Sequence, residues 1–302
     1  MKEILQDLLQ NRLDAYVKPS VKAQRFFAEE IERKLLSVQN RKAEIVKVSG
    51  KGKIIKNFTE DDVEKVQYQV RMRYIINQND NIYLEERVEE RQAEIFRFTI
   101  VDDYPLFSEA DILENEQPTV RDFHFGPLDM YPSEEEERKG YHYDRRRAVR
   151  YAETFWNSYN PKYKKFQDNC TNFISQCLHE GGAPMRGYPN RGNGWWMRNN
   201  NWSYSWTVAN SLRYYLQNSK SGLRAKEVSS PEQLLLGDVI CYDFQGDGRF
   251  DHNTIVVAKD AYGMPLVNAN TYNSRMRYWA YEDSSAYTPN IKYKFYSIVD
   301  DY

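Results

Sequence analysis

The sequence predicts an α+β fold built as two domains, each with helices that precede an antiparallel sheet. In both halves of the chain, apolar residues first recur at the spacing of a helix and then alternate with polar residues, as they do in a strand with one wet face. The chain has 302 residues, which is enough for two domains of ordinary size. Helices followed by runs of strands favour α+β domains over the alternating pattern of a parallel sheet.

The N-terminal half begins with two amphipathic helices. Leucines and an isoleucine at helical spacing carry the first helix, and an apolar stripe over 23–35 carries the second. Short strands are predicted at 43–48 and 53–58. From Val66 to Tyr74 apolar and polar residues alternate strictly, which indicates a half-buried strand. The polar cluster at 77–81 marks a turn.

The C-terminal half again starts with helices. Asp144 is placed to cap the first of them. The second starts near Cys170 and stops at Gly181, since glycine commonly ends helices. A third carries Val208 and Leu212 on one stripe. Four strands follow, and they are predicted at 238–244, 253–260, 265–271 and 291–299.

Composition divides the chain into three parts. An N-terminal α+β domain without an assigned role is expected to span 1–110, and a second domain is expected to span 141–302. Between them, the segment 111–140 is rich in acidic residues and proline and contains the acidic run 133–138. Such a composition predicts a linker or an extended arm.

Charge and hydropathy exclude several classes of function. The 42 basic and 44 acidic residues leave a net charge of -2, so there is no global positive field for nucleic acid or an anionic membrane. No apolar run approaches the roughly 18 residues of a transmembrane helix. The charged N-terminal helix is unlike a signal peptide. Three cysteines without CxxC spacing are expected to be free thiols of a cytoplasmic protein, with export by a non-standard route left open.

Cofactor and metal motifs do not occur in the sequence. Four dispersed histidines without a CxxC pair do not make a zinc pattern. No glycine motif for phosphate or dinucleotide binding is present. Asp243, Asp247 and Asp251 recur around a glycine turn, but they lack the ligand pattern of a calcium loop. We therefore expect a protein without cofactor or metal.

Cys170 is the candidate nucleophile. Its segment, DNCTNF, opens an apolar helical pattern, and a thiol at a helix N-terminus meets the positive end of the helix dipole. That position lowers a thiol pKa, and the free backbone N–H groups there can hold an oxyanion. The alternative is a small buried core residue, which cysteine commonly is. Cys177 and Cys241 fit that alternative.

A cysteine nucleophile needs a base, and His252 is the best-placed histidine because it opens a strand after a glycine-rich turn. His179 lies more than two helical turns from Cys170, and His124 and His142 have no supporting pattern. A third group would orient the imidazole. The next strand offers Asn268 and Asn270 on one face, with Asn270 slightly favoured. The alternative for His252 is a hydrogen-bonded strand-end histidine, and for the two asparagines it is a strand end that enters a turn.

Residues around the nucleophile are candidates for substrate contact. Asp168 precedes Cys170 closely, although capping of the helix is its simpler role. Trp195 and Trp196 belong to a tryptophan cluster that continues at Trp202 and Trp206. These rings are able to stack on a sugar or peptide substrate. The alternative is that they cover the core. Asn268 is included among the substrate contacts if Asn270 takes the catalytic role.

The C-terminal half resembles a known family. The segments DNCTNFISQC (168–177) and GDVI (237–240), with the strand entry at Asp251 and His252, are similar to the bacterial putative amidase domain family. That family looks related to the NlpC-type and CHAP cysteine peptidases, so the resemblance implies a papain-like fold. It also implies that Cys170 is the nucleophile and His252 the general base and acid. Asn270 stands where the family often carries histidine.

The N-terminal half has no catalytic pattern. Its helices and curved antiparallel meander loosely resemble cystatin-like folds, a likeness of architecture only. Partner binding, dimerisation and covering of a catalytic cleft are all open for this domain.

The sequence therefore predicts a cysteine-dependent amidase or peptidase, a hydrolase acting on C–N bonds with a Cys-His-Asn type site. Its expected partner is a peptide or a peptidoglycan-like substrate, with no nucleic acid and no membrane. A second hypothesis is a catalytically degenerate amidase-like domain that binds peptide or glycan without cleaving it. A third is a partner-docking protein whose N-terminal domain is the functional part.

Overall fold

A computed structural model of the chain describes residues 1–18, 20–111 and 140–302. Almost all of the predicted linker 111–140, including its acidic run and His124, lies outside the described residues. None of the helices within the described part is long and apolar enough to cross a membrane.

The described chain is α+β with antiparallel sheets, as the sequence predicts. The helices are α1 Lys2–Val17, α2 Ala28–Asn40, α3 Arg145–Phe155, α4 Cys170–Glu180, α5 Tyr204–Thr207 and α6 Ala209–Asn218. The strands are β1 Glu44–Glu60, β2 Val63–Gln78, β3 Asn81–Phe96, β4 Thr99–Pro105, β5 Met197–Arg198, β6 Asn201–Trp202, β7 Ala225–Val228, β8 Val239–Asp243, β9 His252–Lys259, β10 Pro265–Ala269, β11 Ser274–Tyr278 and β12 Lys292–Ile298.

Two compact units contain these elements. The first unit combines residues 1–111 with 272–287, and the described residues of the second are 140–271 and 288–302. The domain bounds expected from the sequence, 1–110 and 141–302, stay a prediction. In this division, residues 272–287 belong to the first unit.

A four-stranded meander forms the first unit. β1 pairs with β2 and β2 with β3, and β3 pairs with β4 and also with β11, all antiparallel. The two short strands predicted at 43–48 and 53–58 are one strand, β1. It pairs with β2 along its length and absorbs two register shifts. Gly50 lies where α1 crosses it, and a Cβ there would lie 3.2 Å from the side chains of Leu9 and Leu13.

Tight turns connect the strands of the meander. Each two-residue turn has both residues at positive φ, and the pairs are Asp61 and Asp62, Asn79 and Asp80, and Arg97 and Phe98. This conformation matches the twist of the flanking strands, and Asn and Asp adopt it most readily. The turn predicted at 77–81 is confirmed. Arg97 and Phe98 carry no such signal in the sequence.

The core of the first unit lies between β2 and the two helices. The apolar residues predicted to alternate from Val66 to Tyr74 are buried, and α1 and α2 contribute Leu8, Phe27 and Ile31. Strict alternation gave a reliable prediction here because one face of β2 packs on helices and the other does not.

Buried charges explain why residues 272–287 belong to the first unit. Arg277 of β11 donates to Asp283 at 2.9 Å and is paired with Glu109, and Lys34 of α2 donates to Asp283 at 3.0 Å. All four side chains are buried. Burial raises the pKa of Asp283, but the charges of Arg277 and Lys34 outweigh it and hold that pKa below its usual range.

The second unit carries helices on an antiparallel sheet. Its strands lie in the order β10-β9-β8-β12-β7, and α3, α4 and α6 pack against β9. Asp144 caps α3 as predicted, because its Oδ1 accepts from the Arg147 N–H at 3.0 Å. The four strands predicted in this half are confirmed. The short strands β5, β6, β7 and β11 were not predicted, because their alternation is too brief to detect.

Removing Arg277 should destabilise the protein strongly. Arg277→Met leaves Glu109 and Asp283 buried without their shared cation, which costs about 3 kcal/mol or more of unfolding free energy. Urea denaturation of the full chain measures the effect. Arg275→Met is the matched control, since Arg275 lies on the same strand and bonds Glu86 from a side chain that is 20% exposed. A loss for Arg277→Met no larger than that of the control would contradict this assignment.

Candidate active site

Cys170 is the first residue of α4, and Asn169 precedes it as the N-cap residue. The helix therefore begins where the sequence predicts. The Cys170 side chain is partly exposed, and its Sγ lies 3.7 Å from Thr171 Oγ1. The backbone of Thr171 and the backbone of Asn253 also lower the pKa of this thiol. The start of α4 and the start of β9 thus meet at the thiol.

The surroundings of the thiol favour its neutral form. Burial raises the pKa of Cys170 above its ordinary value, and the charge of Asp168 adds to this. The hydroxyl of Thr171 and the backbone hydrogen bonds of Thr171 and Asn253 lower that pKa without reversing the net effect. The expectation that the helix N-terminus lowers the thiol pKa is therefore not met in this state. A base must remove the proton before the sulfur can attack.

His252 opens β9 and is buried. Its ring centroid lies 5.7 Å from that of Tyr242 and 6.3 Å from that of Phe244. The next residue, Asn253, makes the contacts with α4, because its Nδ2 donates to Thr171 Oγ1 at 3.0 Å. The structure thus brings the backbone beside His252 to the thiol, while the imidazole lies against two aromatic rings.

Asp251, on the other side of His252, is also buried. Burial raises the pKa of this carboxyl to about 6, although it accepts a hydrogen bond from the Phe244 N–H. Its charge state therefore changes near neutral pH, one residue from the candidate base.

Asn270 is fully buried, and its side-chain amide makes four hydrogen bonds. Its Nδ2 donates to the carbonyl oxygens that end α3, those of Phe155, Trp156 and Ser158, at 3.1–3.4 Å. Its Oδ1 accepts from Asn169 Nδ2 at 2.8 Å. Through the last of these contacts, Asn270 is bonded to Asn169, the residue that precedes the candidate nucleophile Cys170.

Asn169 is a site residue that the sequence analysis did not single out. Its backbone N–H donates to Thr271 Oγ1 at 2.7 Å, and its Oδ1 accepts from Asn172 Nδ2 at 2.8 Å. Thr171, Asn172 and Asn253 were also missed. The signal available was the polar run around Cys170, in which amide and hydroxyl side chains occupy helix positions that normally face the core.

The structure places the other candidates as follows. Asn268 is buried and its Nδ2 donates to Glu153 Oε1 at 2.8 Å, so it ties β10 to α3. Asp168 is exposed and is not the N-cap residue, a position that belongs to Asn169. Cys177 and Cys241 are buried free thiols, and burial raises the pKa of both.

Trp195 and Trp196 lie in the core, which is the alternative that the sequence left open. Trp195 Nε1 donates to Ser175 Oγ at 3.0 Å, and Trp196 Nε1 donates to the carbonyl oxygens of Asn190 and Asn193. Both rings are at most 1% exposed. As placed, they offer no surface to a substrate.

Metal ligation finds no support in the described part of the chain, where no group of three His, Cys, Asp or Glu side chains is arranged to hold an ion. His179 Nδ1 lies 3.1 Å from the Ala183 carbonyl oxygen, and His142 contacts Asp300.

Residues 142–296 match the family described as "Putative amidase domain". The chain belongs to this family. The match covers Cys170, His252 and Asn270, so all three candidate catalytic residues lie inside the amidase-family domain. The expectation drawn from the cysteine segment is thereby confirmed at the level of the family.

Two relatives from Bacillus subtilis (strain 168) extend the comparison. The uncharacterized protein YhbB is 51% identical over 311 residues, which cover 100% of this chain and 97% of YhbB. The similarity to YhbB therefore includes the first unit as well as the amidase-family domain. The uncharacterized protein YjcM is 31% identical over 121 residues, 37% of this chain and 27% of YjcM. No solved structure matches the chain.

The Thr171 hydroxyl should tune the nucleophile. Asn253 Nδ2 donates to Thr171 Oγ1, which leaves the hydroxyl hydrogen for the Cys170 sulfur. Thr171→Val should raise the Cys170 pKa by about half a unit to one unit, because a hydrogen bond to a charged group is lost. The pH dependence of iodoacetamide labelling at Cys170, read by mass spectrometry, measures it. Thr171→Ser keeps the hydroxyl and should titrate like the parent; equal titration of the Val and Ser variants would contradict this role.

The Nδ2 donor of Asn270 should stabilise the fold through its hydrogen bonds to the end of α3. Asn270→Asp places a buried carboxylate against three carbonyl oxygens and should cost more stability than Asn270→Ala, by about 2 kcal/mol at pH 7. The new carboxyl would have a folded pKa above its unfolded value of about 3.9. Stability of the Asp variant is then highest below that value and falls as pH rises through the folded pKa.

Urea denaturation of both variants between pH 4 and pH 8 tests this prediction. Asn199→Asp, at an exposed turn, is the control and should change stability by about 0.5 kcal/mol or less. A pH-independent difference between the Asp and Ala variants would show that the donor contacts of Asn270 do not hold α3.

Proposed function

We propose that the amidase-family domain is a cysteine-dependent amide hydrolase with Cys170 as its nucleophile. The carrying observation is the position of the thiol: it is partly exposed at the first turn of α4, and backbone hydrogen bonds from α4 and β9 favour its thiolate form. Converging backbone donors at a helix start are the arrangement that stabilises charge developing during acyl transfer. Membership of the amidase family supports the same reaction class.

His252 is the proposed base. It lies one residue before Asn253, whose backbone hydrogen bond favours the thiolate, and no other histidine of the described chain adjoins a group bonded to Cys170. His252 takes the thiol proton while Sγ attacks the amide carbonyl carbon. It then gives that proton to the leaving nitrogen as the C–N bond breaks. Water, deprotonated by His252, hydrolyses the thioester and restores the thiol.

Asn270 completes the proposed site. Orientation of the imidazole by Asn270, expected from the sequence, stays a prediction. Its hydrogen bond to Asn169 supports a positioning role at the residue that precedes the nucleophile. A papain-like arrangement, with the cysteine helix packed on an antiparallel sheet, is part of this proposal. The packing of α4 on β9 supports it.

A binding domain without hydrolytic activity is the second candidate. Burial raises the Cys170 pKa, and the Asn270 amide is engaged with α3 and Asn169. Both observations favour a domain that holds a peptide or glycan without cleaving it. The reactivity of the thiol separates the two candidates.

Hydrolysis should require both Cys170 and His252. The probes are a panel of peptide p-nitroanilides and a muropeptide mixture, with products read by absorbance and mass spectrometry. Cys170→Ala should abolish turnover, and His252→Ala should reduce both turnover and iodoacetamide labelling of Cys170 by at least about tenfold at pH 7, because the base is lost.

Cys177→Ala and Cys241→Ala are the matched controls and should keep turnover. Turnover that survives in Cys170→Ala would overturn the assignment of the nucleophile. Labelling of Cys170 that is unchanged in His252→Ala would overturn the assignment of the base and favour the binding domain.

A further inference from the structure

Trp202 differs from the other tryptophans of its cluster. Trp195, Trp196 and Trp206 are buried, and each donates its indole N–H to a partner inside the protein. Trp202, on β6, is half-buried, and within the described residues its indole N–H has no hydrogen-bond partner. A donor of this kind at the surface is available to a ligand.

Two cations flank the Trp202 ring. Lys164 Nζ lies 4.4 Å and Arg191 Cζ 4.8 Å from its centroid. In the part of the chain that the structure describes, neither cation has an acidic partner. Lys162, two residues before Lys164, is instead paired with Glu180 at 3.4 Å. Among the described residues, the charges at Trp202 therefore lack the acidic partner that Lys162 has.

Hydrogen bonds anchor the Arg191 guanidinium and the Lys164 backbone. Arg191 Nε donates to the Trp202 carbonyl oxygen at 3.0 Å, and the Lys164 carbonyl oxygen accepts from Asn172 Nδ2 at 2.9 Å. A cation over an indole ring is attracted by the negative face of the ring. The two charges and the indole donor thus form a group of donors with no acceptor among them.

This group of donors is linked to the nucleophile by two contacts. The Phe166 ring packs edge-on against Trp202 with centroids 4.8 Å apart. The Phe166 N–H donates to Asn169 Oδ1 at 3.3 Å. Asn169 is the residue before Cys170, so these contacts connect Trp202 through Phe166 to the segment that carries the candidate catalytic cysteine.

We infer that Trp202, Lys164 and Arg191 form a substrate subsite for a carboxylate next to the amide that Cys170 attacks. The inference rests on the proposed function for its location. The chemistry is that of the donors: two cations and an indole N–H attract an anion. The substrate class is therefore an acidic peptide or acyl group rather than a neutral glycan.

Peptide binding to the Cys170→Ala chain tests the subsite without depending on catalysis. The probes are N-acetyl-alanyl-glutamyl amide and its neutral glutaminyl counterpart, which differ in one carboxylate. Binding is followed by NMR through the indole N–H signal of Trp202, which is assigned by its loss in Trp202→Phe. The glutamyl peptide should bind roughly threefold to tenfold more tightly at low salt, and the preference should shrink as salt rises.

Substitution of the cations should remove this preference. Lys164→Gln and Arg191→Gln should each reduce it, and Lys162→Gln, whose cation already has an acidic partner, should leave it unchanged. Equal affinity for the two peptides, or an equal effect of Lys162→Gln, would overturn the subsite. Because the Cys170→Ala chain cannot hydrolyse either peptide, failure of the subsite is distinct from failure of the proposed amidase reaction.

Discussion

One buried amide joins the elements on which the candidate site depends. Asn270 donates to the carbonyl oxygens that end α3 and accepts from Asn169, the residue before Cys170. A buried polar group is stable only when its hydrogen bonds are satisfied. Asn270 therefore fixes the end of α3, the end of β10 and the approach to α4 at once, and the position of the nucleophile follows from these bonds.

The thiol at this junction experiences two opposing effects. Desolvation favours the neutral form, whereas the Thr171 hydroxyl and the backbone N–H groups of Thr171 and Asn253 favour the thiolate. Desolvation prevails in this state, so the helix N-terminus alone does not activate Cys170. The same donors would stabilise the negative charge of a reaction intermediate. The balance suits a nucleophile that is neutral at rest and ionised only when a base takes its proton.

Sequence periodicity predicted those elements whose two faces differ. Three features could be predicted because each has a local cause in the sequence. They are the alternation in β2, the Asp144 cap and the start of α4 at Cys170. The burial of Trp195 and Trp196 could not be predicted from the sequence, since it depends on partners such as Ser175 that are distant along the chain. Trp202 looks identical to them in sequence. The polar strand β11 could also not be predicted, because buried ion pairs rather than apolar alternation hold its segment in the first unit.

Backbone strain marks the point where the chain passes from one unit to the other. Thr271, the last residue before the segment 272–287, has φ 93°, a conformation that is unusual for a β-branched residue and costs on the order of 1–3 kcal/mol. Glycine would relieve that strain, but it would remove the hydroxyl that accepts the Asn169 N–H at 2.7 Å. The strained residue thus follows the end of β10 and supports the residue before Cys170. The departure of the chain into the first unit and the geometry of the candidate active site are consequently set by the same few residues.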